Sequence, residues 1–207
     1  MNLNVKELIE KIVHKKGPGP STTFSMFHIF YAIELISKKT IGRNRIAKEI
    51  EVGEGAIRTI IDHLKEANLI TTSRQGCNLT EKGICLWEKI EQMFPKRIKV
   101  KRTELNNSKY NFAFLIKNSG HKIKSGIIQR DAAIMGGADR ATIIVSKEGK
   151  LAIKSVSKDI EKDFPEASKK ILKDLSPENN DVIIVAGADS AIRAKRGAFA
   201  ASWILIN

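Results

Sequence analysis

The chain has 207 residues, which suits two domains, and 42% of them are hydrophobic, enough for packed cores. Its 36 Lys and Arg outweigh 23 Asp and Glu, and a net charge of +13 favours an anionic partner, nucleic acid or a membrane surface. Cys77 and Cys85 have no Cys or His near them at zinc-ligand spacing, and no run approaches the apolar length of a membrane span, so neither a metal site nor an embedded protein is expected.

The excess charge is spread: 19 basic against 11 acidic residues in 1–102, and 17 against 12 in 103–207. Residues 3–15 predict a short amphipathic helix through Val5, Leu8, Ile9 and Ile12, with none of the continuous apolar core of a secretion signal. Two lone cysteines and no leader point to reduced thiols in a cytoplasmic protein. "GPGPS" at 17–21 breaks the chain, and "TFSMFHIFYAIELISKK" from Thr23 to Lys39 predicts a helix apolar on most sides. Its surplus apolar surface has to meet either the 3–15 helix or a second subunit.

Ile46, Ala47 and Ile50 share one face of a short helix from Arg43 to Ile50. Ile57, Ile60, Ile61 and Leu64 then recur at i, i+3, i+4 and i+7, which predicts a helix from about Glu54 to Ala67. Glu51, Val52 and Gly53 join the two so tightly that they must cross steeply, the helix-turn-helix unit. The β-branched run at 70–74, a turn at Gln75–Gly76 and "CNLT" at 77–80 predict a hairpin with Arg74 at its tip. Thr80 then caps a helix over 80–94 whose apolar side is Ile84, Leu86, Trp87, Ile90 and Met93.

The residues "RIAKEIEVGEGAIRTIIDHLKEANLI" followed by "LTEKG" at 79–83 closely resemble winged-helix transcriptional regulators of bacteria and archaea, over roughly residues 23–94. The resemblance implies that the N-terminal part of the 54–67 helix enters the DNA major groove. Two positions depart from the family. Glu51 stands where a Gly usually makes the turn, and Gly53 stands where Ser or Thr usually caps the next helix.

With the buried face set by Ile57, Ile60, Ile61 and Leu64, the candidates for base edges are Glu54, Gly55, Arg58 and Thr59. Arg58 leads, because a guanidinium can grip guanine with two hydrogen bonds. Gly55 would let backbone approach closely. Arg43, Arg45 and Lys48 suit phosphate, as does Arg74 on the wing. Asp62 and Glu66 should stand away from the strands. His63 reads as a surface or packing side chain, and Trp87 as core or interface.

Residues 97–109 read as a basic linker, dividing a domain at 1–96 from one at 110–207. The second domain predicts a strand at 110–118, a helix at 124–137 and a hairpin at 141–155 around Lys147–Gly149. A helix within 159–175, a buried strand at 181–188 and a helix at 189–206 complete it. The expected fold class is therefore α+β: an N-terminal winged helix-turn-helix domain plus a C-terminal α/β domain.

"GAD" occurs at 137–139 and 187–189 in reversed contexts, so a duplication is not inferred. Asp189 and Ser190, at a strand-to-helix turn, either meet an anion or cap their own helix. Arg130 and Asp131 either face a ligand with them or pair with Asp139 and Arg140. These four are the candidate effector residues; no catalytic set, cofactor motif or metal cluster is found. Over its whole length the chain resembles archaeal winged-helix regulators that carry a C-terminal domain of unknown function. That resemblance rests on "IGRNRIAKEI", "GEGAIRTI" and "IIQRDAAIMGGADRATIIV". The expectation is a homodimeric regulator of double-stranded DNA, with a small-molecule effector as second partner. An enzyme with an appended winged helix and a protein-interaction module are the rivals.

Overall fold

A computed structural model describes residues 4–15 and 24–206, and the chain divides into two compact units, Met1–Ile90 and Glu91–Asn207. The break expected at 17–21 and the helix start expected at Thr23 lie outside the described residues.

In the first unit α1 spans Val5–Val13 and is capped by Asn4, whose side-chain oxygen accepts from the Lys6 and Glu7 amides. Helix α2 spans Met26–Lys38, and the Ser25 amide donates to His28 Nδ1 at 2.9 Å to close its first turn. It buries Phe27, Ile29, Phe30, Ala32, Ile33 and Ile36 and packs against α1, so the 3–15 helix takes up apolar surface that α3 does not reach. Trp87 is buried beside Phe30, with ring centres 6.1 Å apart.

Helices α3 (Arg43–Ile50) and α4 (Glu54–Glu66) follow the expected bounds within one residue. Glu51 does bear the left-handed turn, with φ 56°, and the Val52 amide donates to Ala47 O at 3.1 Å. Such a backbone costs an L-residue roughly 1–2 kcal/mol, which the aliphatic faces on either side offset. His63 is a packing side chain: Nδ1 lies 2.8 Å from Ile12 O, and the ring stands edge-on to Phe24.

Strands β1 (Ile70–Ser73) and β2 (Gly76–Leu79) pair antiparallel with Ser73 opposite Gly76, so the turn is Arg74–Gln75, one residue earlier than expected. Gly76 is needed for another reason. Its φ is +136°, and a Cβ there would lie 2.6 Å from the Ile41 carbonyl. Helix α5 (Glu81–Met93) is capped by Thr80, whose hydroxyl accepts from the Gly83 amide at 3.1 Å. Its inward face is Gly83, Leu86, Trp87 and Ile90; Ile84, one position round from Gly83, is 47% exposed rather than buried as expected.

The second unit is built on a five-stranded sheet in the order β3-β4-β7-β5-β6, antiparallel at every neighbouring pair. The strands are β3 (Lys96–Val100), β4 (Tyr110–Ile116), β5 (Arg140–Lys147), β6 (Lys150–Ala152) and the central, fully buried β7 (Val182–Ala188). Strand β3 corrects the linker reading of 97–100: Ile98 and Val100 alternate with basic residues and rest on the core, as an edge strand with one wet face would. The β5–β6 turn carries Glu148 and Gly149 at φ 52° and 78°, the twist a tight hairpin needs.

One sheet face, through Ala113, Leu115, Ile144, Ile183 and Val185, is covered by α7 (Ile160–Asp163) and α8 (Pro165–Leu175). Glu104 caps α8, its carboxylate oxygens accepting from the Glu166 and Ala167 amides at 3.1 Å. On the other face α9 (Ala191–Trp203) stacks Phe199 against Phe114, and α6 (Ile127–Met135) packs beside α9.

Candidate nucleic-acid interface

The aliphatic face of α4 fixes what the helix shows outward. Ile57, Ile60, Ile61 and Leu64 are buried, whereas Glu54, Gly55, Arg58 and Asp62 are exposed. Glu54 ties the two helices of the pair together: Arg58 Nη2 donates to its Oε1 at 2.5 Å, and Arg43 Nη2 lies 3.8 Å from the same oxygen. Chiefly through the Arg58 hydrogen bond, the carboxyl of Glu54 is held below the usual range. Arg43, Glu54 and Arg58 therefore form one exposed cluster at the start of α4.

Thr59 is half-buried and its hydroxyl donates back to Gly55 O at 3.1 Å, so in this state it is turned along the helix. Arg45 pairs with Glu49 at 2.9 Å, and Lys48 is exposed. Asp62 is exposed, and Glu66 takes the ammonium of Lys15 at the end of α1. Arg74 stands on the exposed hairpin tip. The tip end of that hairpin is stapled to the segment before α3 by the Ile41–Cys77 bridge, one residue past Gly76.

Gly42 and Gly53, which precede α3 and α4, and Gly55 would meet nothing within 4 Å if each carried a Cβ. Neither helix start has a side-chain cap. Packing does not demand glycine at these three places. What their absence of side chain does leave is uncovered amide N–H groups at two helix N-termini, which suits phosphate oxygens. Gly42 was not foreseen as part of this surface; its signal was a glycine just before an Arg-led helix.

The four residues expected at an effector site are not gathered into one. Ser190 caps α9, accepting from the Arg193 amide at 3.3 Å. Asp189 receives Arg193 Nη1 at 2.6 Å, while Nη2 of the same guanidinium reaches Asp139 at 3.0 Å and its Nε reaches Gly137 O at 2.9 Å. The two "GAD" stretches thus meet at one arginine. Arg130 pairs with its neighbour Asp131 at 3.2 Å, not with Asp139, and Arg140 donates to Asn107 at 2.6 Å.

Among the described residues, clefts open on this unit, two of them larger than about 300 Å³. One of about 340 Å³ lies between residues 99–106 and α8, floored by Ile144, Ile171 and Val185 and rimmed by Lys99, Lys101, Lys170 and Lys173. The other, about 320 Å³, is lined by Arg130, Ile143 and Val156. Among the described residues no group of three or more His, Cys, Asp or Glu could hold a metal ion, and no helix is long and apolar enough to cross a membrane.

Comparison with known proteins agrees with this division. Residues 25–94 match the family model of the CggR N-terminal DNA binding domain, and residues 107–205 match a domain of unknown function (DUF4443). No curated protein matches the chain. Among solved structures it is similar to the hypothetical protein PH0730 from Pyrococcus horikoshii OT3. The identity is 28% and the TM-score 0.72, over 88% of this chain and 92% of that one. A match to a DNA-binding domain at residues 25–94, followed by a match to a domain of unknown function at residues 107–205, is consistent with a helix-turn-helix regulator.

Proposed function

We propose that the first unit is a winged helix that reads duplex DNA through the outward side of α4, and that the protein acts as a homodimeric transcriptional regulator. The observation that carries this reading is the sharp division of α4. One side is committed to the core, and the other presents Gly55 and Arg58 beside two uncapped helix starts. Arg58 and Glu54 meet base edges, Gly55 admits the backbone, and Thr59 joins once its hydroxyl turns outward. Arg43, Arg45 and Lys48 lie on phosphates and Arg74 on the adjacent backbone or minor groove. The second unit binds a small effector, for which its clefts of about 340 and 320 Å³ fall in the usual ligand range.

Fluorescence anisotropy on labelled duplexes at several salt concentrations tests the assignment. Arg58→Ala should lose roughly 1–3 kcal/mol on a selected site and relax sequence preference. Lys48→Ala should weaken all duplexes alike and lower the salt slope by about one. Equal behaviour of both variants and wild type would show that this face does not touch DNA.

Glu54→Gln probes the cluster from the other side. The carboxylate at present occupies Arg58 and lies near Arg43. Without its charge, binding to random duplex should tighten a few-fold, about the effect of one added phosphate contact. Unchanged or weaker binding to random duplex would mean that the Arg43, Glu54 and Arg58 cluster does not lie against the duplex.

A further inference from the structure

Helix α6 turns four large apolar side chains to the outside: Ile127 is 51% exposed, Ile128 68%, Ile134 44% and Met135 89%. That density on nine residues is unusual for a free surface and marks a contact. The helix cannot roll to hide them. Its Gln129 and Ala133 are buried, Arg196 Nε donates to Gly136 O at 2.6 Å, and a Cβ on Gly136 would lie 2.8 Å from that of Ala200 on α9.

The exposed pattern is symmetric about Asp131. At roughly 100° per residue, Gln129 and Ala133 face the core and Asp131 points directly away. Ile127 and Ile128 precede Asp131 by four and three residues; Ile134 and Met135 follow by three and four. A second α6 laid antiparallel across a two-fold axis at Asp131 sets Ile127 against Ile134 and Ile128 against Met135, twice over. Arg130, now 3.2 Å from Asp131 of its own chain, comes beside Asp131 of the other copy, so the charges at the axis cancel. Such a surface complements itself; a polar or uniformly charged partner would strand either the apolar residues or one of the charges. Val156, 70% exposed, lines the same cleft as Ile127 and widens the patch toward the roughly 800 Å² per partner that stable interfaces bury.

We propose that α6 is the dimerisation surface of this chain: two copies pack antiparallel through Ile127, Ile128, Ile134 and Met135 about a two-fold axis at Asp131. The proposal rests on the regulatory reading only in supplying its second DNA-binding unit; the interface itself is a property of the free protein.

Sedimentation velocity on the full chain, without DNA, is the test. Wild type is expected to be a dimer at micromolar concentration. Asp131→Arg gathers four arginines at the axis and should weaken association at least about ten-fold. Ile128→Asp should do the same by putting a charge into the apolar seam. All these side chains are exposed, so circular dichroism should be unchanged. Arg130→Asp combined with Asp131→Arg restores the opposite pairs and should restore the dimer.

A wild-type monomer, or dimers that survive both single substitutions, would overturn the interface. A double variant that stays monomeric would overturn its register. Anisotropy on a single half-site separates the two readings. Lost DNA binding with the dimer intact removes the regulatory reading alone, and retained half-site binding with no dimer removes this one.

Discussion

Gly83→Val should leave the first unit unfolded under conditions where the wild-type unit is native, and Gly83→Ala should destabilise it by about 3 kcal/mol. A Cβ at Gly83 would lie 2.1 Å from the Leu69 carbonyl oxygen, 3.1 Å from its carbon and 3.3 Å from Leu79 Cβ. The first two are backbone atoms that cannot rotate aside. Nor can the segment retreat. Leu69 is fully buried, its carbonyl accepts from the Thr80 amide at 3.0 Å, and Asn68 is already in the left-handed region at φ 56°. The Thr80 hydroxyl donates to Asn68 O at 2.7 Å while accepting from the Gly83 amide, so the end of α4, the hairpin and the start of α5 are locked at one point. Urea denaturation followed by Trp87 fluorescence in a Trp203→Phe background reports the first unit alone. A midpoint for Gly83→Ala within error of wild type would show that α5 can move off Leu69.

That glycine illustrates how far the sequence could be read. "LTEKG" was recognisable by resemblance, and the 3.6-residue period placed the buried face of α4 and hence the exposed Arg58. What the period could not supply was contact between residues far apart in the chain. Gly76 reads as a turn residue until Ile41, some 35 positions earlier, is seen pressed against it. Strand β3 hides in "KRIKV" because charge dominates its composition, and only the pairing with β4 reveals that Ile98 and Val100 share an inner face. The partner of Asp189 was visible locally: Arg193 follows it at the i, i+4 spacing of a helical ion pair. By contrast, nothing in "IIQRDAAIM" told which side of α6 would meet α9, so the outward aliphatic stripe became legible only with the fold.

Asp181→Ala is expected to cost the second unit about 3 kcal/mol, the order for removing a buried charged acceptor from the amides it serves. Asp181 is 1% exposed and stands just before β7, next to the end of β4. Its carboxylate accepts from Lys117 Nζ at 2.9 Å, the Asn118 amide at 3.0 Å and the Glu178 amide at 2.8 Å. Alanine would strand the Asn118 and Glu178 amides and leave Lys117 with Glu178 alone, at the point where the end of β4 pairs with the start of β7. Asp181→Asn keeps the shape but brings an NH₂ group against these donors, so it should recover only part of the loss. The pH dependence has a definite sign. Burial works against the charge on Lys117, but its hydrogen bonds to Glu178 and Asp181 outweigh that and raise its pKa. A raised lysine contributes stability that is complete below the ordinary lysine range and is lost as pH climbs through the raised value. Wild-type denaturation midpoints should therefore hold through neutral pH and fall in strong alkali, and the fall should shrink in Asp181→Ala, which has already lost the buried partner. An Asp181→Ala protein as stable as wild type, with the same alkaline profile, would mean that Glu178 alone holds Lys117 just as well and that the two amides find water when the carboxylate is gone.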